Sequence, residues 1–216
     1  MIKLYLKLDQ GTPQYVCSSC GNCHSTFGKS MCKIKDRGCC FYFPKFTLYE
    51  IHKMTKSKEG FKTLKRIVKN EGTKIYNYYI HAKGYFDEEG YERHMTLEDH
   101  YDDGVHDKTI FFRACPFIKQ NEGCTLPLQY RSYVCNFFIC DEVKKVLEKS
   151  HEFYNYVKEC ESYVRWIKWE NESLRGILEE QNINLEDNFE GVINLLKDIP
   201  LENFEFRKLE KIEFKQ

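Results

Sequence analysis

Eleven cysteines stand in this chain of 216 residues, and ten of them fall into two groups. The first is Cys17-x2-Cys20-x2-Cys23, then Cys32, then the vicinal pair Cys39-Cys40. The second is Cys115, Cys124, Cys135 and Cys140. Two residues between thiolates let one tight turn aim both at a single centre, with backbone N–H groups directed at the sulfurs. Gly21, directly after Cys20, suits a turn that needs positive φ. Vicinal thiols do not readily reach one metal together. Cys39 and Cys40 therefore serve two centres, or one binds while the other packs. At four ligands per centre, ten cysteines allow two centres with two to spare, or one centre plus a reactive pair. All ten are candidate metal ligands. Cys160 is read differently: it precedes Val164 by four residues on the apolar face of a helix, where a thiol acts as a small hydrophobe.

Zinc favours paired Cys-x2-Cys knuckles. The first group offers one and the second none, its gaps being 8, 10 and 4 residues. A Cys-x2-Cys-x2-Cys run with a distant fourth cysteine, and the Cys115-Pro116 step, lie closer to iron–sulfur ligation. The expected cofactor is an iron–sulfur cluster, with zinc as the alternative. Lys29, Lys33, Lys35 and Arg37 lie among the first six cysteines, and cations stabilise a net-negative thiolate centre.

Other groupings carry less chemistry. His94, Glu98, Asp99, His100, Asp102, Asp103 and His106 crowd together and contain the two histidines and carboxylate of a mononuclear iron site. The same residues read more simply as a hydrated acidic loop, with Thr96-x-x-Asp99 capping a short helix. There is no G-x-G-x-x-G, phosphate-binding loop or H-E-x-x-H, so no nucleotide or S-adenosylmethionine domain is expected and no catalytic residue is assigned. Lys+Arg and Asp+Glu both number 33. No basic–aromatic stripe points to nucleic acid. The balance is uneven: residues 1–80 carry 15 basic and 5 acidic side chains, and 81–107 carry 2 and 9.

The opening MIKLYLKLDQ alternates Ile2, Leu4, Leu6 and Leu8 with polar residues, a strand pattern rather than an export signal. No run approaches the roughly 18 apolar residues of a membrane span. A cytoplasmic protein is expected, whose thiols stay reduced and serve as ligands rather than disulfides.

Length and the 42% hydrophobic content suit one domain, or one domain with a helical appendage. A strand is expected over 2–8 and a metal-organised loop over 11–46. Thr47-Leu48-Tyr49-Glu50 has capping-box spacing and should start a helix. A second helix is expected over 59–70, a strand over 75–85, a turn at 87–90, and a strand over 109–114 leading into a cysteine-bearing loop at 115–140. Apolar residues then recur every three or four positions, predicting a helix over 141–180 broken near Gly176. A further helix over 186–199 stops at Pro200, and 201–216 is too mixed to assign. The expected fold class is α+β: a metal-stapled half over 1–140 with short strands, and a helical region over 141–216 packed on it.

CSSCGNC at 17–23, the vicinal pair at 39–40, CPFIKQNEGC at 115–124 and RSYVCNFFIC at 131–140 together resemble the YkgJ-type cysteine-cluster family. Flagellin lysine N-methylases carry a related cluster. The resemblance covers roughly 15–140. His24 stands where the family has a second vicinal cysteine, Ser132 where it has proline and Asn136 where it has arginine. The resemblance implies a zinc- or iron-chelating domain. The expected function is metal binding through one or two cysteine-ligated centres, in redox chemistry or protein modification. The alternatives are a zinc-stapled interaction module whose 141–180 helix docks a protein partner, and a methylase-type enzyme.

Overall fold

The computed structural model describes residues 3–9, 12–17, 25–96, 104–120, 122–210 and 212–215; at 3–9, 13–17, 142 and 213–215 only the backbone is described. The chain mixes helix and strand, with a long helix toward its C-terminus, as the α+β expectation has it.

Two small antiparallel sheets and a helical layer carry the structure. In the first sheet β1 (Lys3–Asp9) lies between β2 (Thr12–Cys17) and β10 (Ile212–Lys215), with Leu4 opposite Cys17 on one side and Phe214 on the other. In the second, β3 (Lys45–Thr47) and β4 (Thr73–Tyr76) flank β5 (Tyr79–Ala82). Alternation buries Ile80 and Ala82 on one face of β5 and leaves Tyr79 and His81 half-buried on the other.

The capping box forms as the spacing predicts and opens α1 (Leu48–Thr55). Ser57 caps α2 (Lys58–Val68), accepting from the Gly60 amide at 2.9 Å. Leu48, Ile51 and Met54 of α1 meet Leu64 and Ile67 of α2 in the main core. Ile167, Leu174 and Leu178 of α6 (His151–Glu180) join them, with Val192, Ile193 and Leu196 of α7 (Phe189–Asp198). Lys56, just after α1, donates to the carbonyls of Leu196 at 2.7 Å, Lys197 at 2.8 Å and Ile199, closing the C-terminal end of α7. Replacing Lys56 with methionine removes this donor, although the Ile199 carbonyl keeps His52 Nε2 at 3.1 Å. The change should cost about 1–3 kcal/mol, read as a lower urea midpoint with an unchanged slope.

Several expected elements take other forms. The strand over 75–85 is a hairpin of β4 and β5 turning at Asn77-Tyr78, followed by β6 (Tyr85–Phe86). The turn at 87–90 is a helix start: Asp87 Oδ1 accepts from the Gly90 amide at 3.1 Å and α3 (Glu88–Thr96) follows. Thr96 is the last described residue of α3, and Asp99 of the expected cap lies outside the described residues. The strand over 109–114 is a 3-10 turn, Lys108–Phe112, begun by Asp107, and only β7 (Arg113–Ala114) is extended. The long helix breaks at 148–150 instead of Gly176. α5 (Asp141–Leu147) ends there, and Ser150 caps a fresh start by accepting from the Phe153 amide at 3.2 Å. α6 runs unbroken through Gly176, around which nothing crowds. No described helix is long and apolar enough to cross a membrane.

Candidate metal centre

Cys40 lies in the tight turn after Arg37, its amide bonded to the Arg37 carbonyl at 3.1 Å. Asp36 and Gly38, both at φ 52°, bend the chain there. The Cys40 carbonyl accepts from the Cys115 amide at 2.8 Å, joining the two cysteine regions through the backbone. Cys115 follows β7 and opens the turn closed by the Ile118 amide on its carbonyl at 3.2 Å. Gly84 makes room for this approach, since a Cβ there would collide with the Ala114 carbonyl. Cys124 pairs with Ile118 across the hairpin of β8 (Ile118–Lys119) and β9 (Gly123–Cys124). Gly123 turns that hairpin at φ 84°. Cys135 stands on α4 (Tyr133–Phe137).

These four thiols share one neighbourhood. Each pair among Cys40, Cys115, Cys124 and Cys135 interacts electrostatically: Cys40 raises the pKa of the other three, Cys124 raises those of Cys115 and Cys135, and Cys115 raises that of Cys135. Burial acts first and pushes Cys115 to about 12 and Cys124 upward. Cys135 keeps an exposed edge, yet the protein atoms around it and then the other three thiols push it up as well. Cys40 goes the other way, to about 7, through a hydrogen bond from Cys39, with Arg131 and Arg37 assisting against burial. Among the described residues no three His, Cys, Asp or Glu side chains stand close enough together to hold a single metal ion.

Two arginines flank the thiols. Arg37 is 2% exposed and donates to the carbonyls of Gly38 at 2.5 Å, Lys29 at 2.8 Å, Ile110 at 2.8 Å and Phe27 at 3.4 Å. Its Nε has no partner among the described residues. Burial lowers its pKa, opposed by Cys32, Cys40 and Cys39, and no carboxylate assists. Arg131 holds the Leu126 carbonyl through Nε at 3.0 Å and the Cys124 carbonyl through Nη2 at 3.2 Å. A buried guanidinium bonded only to neutral carbonyls needs an anion nearby, and thiolates are the groups in place to supply one.

Of the other expected ligands, Cys32 and Cys140 have surroundings of their own. Cys32 is fully buried, with Sγ 3.4 Å from Ser30 Oγ and 3.7 Å from the Ile34 carbonyl it donates to. Cys140 immediately precedes α5 and packs beside Val143, Phe153 and Tyr156, the same small core that takes Cys160. Cys160 is partly buried and raised to about 12 by that burial, as its apolar-face reading expects. Cys17 ends β2, which runs beside α4, and only its backbone is described. Cys20, Cys23 and His24 lie outside the described residues. So do Glu98, Asp99, His100, Asp102 and Asp103 of the acidic segment, whose His94 packs on the Phe112 ring at 5.6 Å.

One site residue escapes sequence reasoning. Glu50, 6% exposed, does more than complete the capping box. Its Oε2 accepts from the Thr47 amide at 2.8 Å and its Oε1 from the Tyr133 amide at 2.8 Å. One carboxylate thus ties the N-termini of α1 and α4 together and fixes the helix that carries Cys135. The Thr47–Glu50 spacing signals the local half of this arrangement and nothing in the sequence signals the other.

Comparison with protein-family models, with curated proteins and with solved structures finds no match for this chain.

Proposed function

We propose that the protein binds a polynuclear iron–sulfur centre through Cys40, Cys115, Cys124 and Cys135. The observation that carries this reading is a mutually interacting foursome of thiols beside two arginines that lack carboxylate partners among the described residues. An iron–sulfur centre would supply one-electron redox chemistry. The chain's own contribution is the charge around it: Arg37 and Arg131 favour the thiolate state, and the hairpin, the Cys40 turn and α4 hold the ligands from separate elements.

Anaerobically purified protein should be brown, with broad absorption near 400 nm, iron, and acid-labile sulfide. Cys135→Ala should lose most of that absorption and iron. Cys160→Ala should keep both and lose about 1–2 kcal/mol for its cavity. A colourless preparation with stoichiometric zinc and no labile sulfide would refute the iron–sulfur assignment. Full iron in Cys135→Ala would refute the ligand set.

A further inference from the structure

Five of the 15 cations in residues 1–80 gather on α2 and the residue after it: Lys58, Lys62, Lys65, Arg66 and Lys69. All five are exposed. Their steps of four, three, one and three residues keep them on one side of the helix, along about 16 Å at 1.5 Å per residue. Leu64 and Ile67 turn the opposite side into the main core. None of the five forms an ion pair among the described residues. Against them α2 sets one carboxylate, Glu59, which accepts from Gln129 Nε2 at 3.2 Å.

This face lies on the turn that carries two of the proposed ligands. Lys62, Lys65, Arg66 and Lys69 line one hollow with Pro116 and Phe117, the two residues directly after Cys115. The Arg66 guanidinium stands 5.7 Å from the Phe117 ring centroid and donates to the Thr125 carbonyl at 3.0 Å. Thr125 follows Cys124, and Arg66 is one of the two cations that favour the Cys124 thiolate. Phe117 is 3% exposed, so the hollow offers no open ring on which a nucleobase could stack. What it presents outward is positive charge beside the thiols.

We infer that this face of α2 docks an acidic one-electron carrier protein. The inference rests on the iron–sulfur reading and names the partner of that centre. One electron leaves the reduced group of the carrier and enters the centre; the carrier is oxidised by one, the centre is reduced by one, and no bond forms or breaks. Electron-transfer encounters are small and are steered by complementary charge, which a short basic strip supplies.

The test is stopped-flow oxidation of the dithionite-reduced, iron-loaded protein by iron(III)–EDTA, an anion, and by hexaammineruthenium(III), a cation. Raising ionic strength from about 0.01 M to about 0.1 M shortens the screening length from roughly 30 Å to roughly 10 Å. The rate with the anion should fall threefold or more, and the rate with the cation should not fall. Oligoglutamate should slow the anion's reaction threefold or more at low salt. Lys62→Glu/Lys69→Glu should abolish both effects; its new carboxylates stand four residues from Arg66 and Lys65, a spacing that supports the helix. Lys62→Gln/Lys69→Gln, a second variant, should at least halve them. Lys158→Glu/Lys168→Glu, the same change in net charge on exposed positions of α6, should keep them. Iron-loaded protein whose rate with the anion ignores salt, a charge-reversed α2 that behaves as wild type, an α6 variant that loses the effects equally, or stronger inhibition by oligothymidylate of equal charge overturns the docking proposal and leaves the centre standing. Protein without iron or labile sulfide overturns the iron–sulfur reading, and this inference falls with it.

Discussion

Glu50→Ala should destabilise the protein by about 3–5 kcal/mol, because it removes a buried carboxylate and leaves the Thr47 and Tyr133 amides without their acceptor. Glu50→Gln isolates the charge. Burial is the largest influence on this carboxyl and pushes it to about 7, overriding the amides that favour ionisation. A carboxyl whose folded pKa exceeds its unfolded value near 4.5 binds its proton more tightly in the fold. Its stabilising contribution is complete below about 4.5 and lost as pH rises through about 7. The wild-type chain should therefore lose about 3 kcal/mol relative to Glu50→Gln across that interval, at roughly 1.4 kcal/mol per pH unit. Urea midpoints of both proteins at pH 5 and pH 8 measure it. A constant difference between them would show that Glu50 does not titrate in this range.

Arg37→Met should be comparably severe. The guanidinium ties the 27–38 segment to the 3-10 turn before β7 by bonding carbonyls on both sides. Losing it orphans buried carbonyls and should cost about 3–5 kcal/mol, a fall of about 10 °C in melting temperature for a chain of this size. The sign of the metal dependence is informative. A buried cation is unfavourable beside neutral thiols and favourable beside an anionic thiolate centre. The penalty of Arg37→Met should be larger in iron-loaded protein than in protein stripped of iron. Equal penalties by scanning calorimetry would remove Arg37 from the account of the centre.

Elements set by local chemistry are legible in the sequence. The Thr47–Glu50 capping box, the amphipathic run of α2 and the stop of α7 before Pro200 all depend on residues within one or two turns. Misreadings arise where one residue serves either of two local structures. Asp87 fits a turn or a helix cap, and it caps α3. Asn77-Tyr78 carries no glycine, so the hairpin between β4 and β5 leaves no turn signature. Ser150 restarts a helix whose visible weak point is Gly176. The cysteines show the same limit more sharply. Their types and number point to metal from the sequence alone, but proximity along the chain groups Cys40 with Cys32 and Cys140 with Cys135. The Cys40 carbonyl accepts from the Cys115 amide, and Cys140 packs in the small core of Val143, Phe153 and Tyr156. No spacing rule contains the first contact, because it joins segments far apart in sequence.

The pairing of β1 with β10 has a consequence in time. Lys3 faces Lys215, so the innermost strand of that sheet borrows one neighbour from some 200 residues downstream. At a synthesis rate of about 5–20 residues per second, β1 waits roughly 10–40 seconds with one row of its amides and carbonyls open. During that interval the nascent β1–β2 hairpin presents a bare edge, the kind of surface on which neighbouring chains pair.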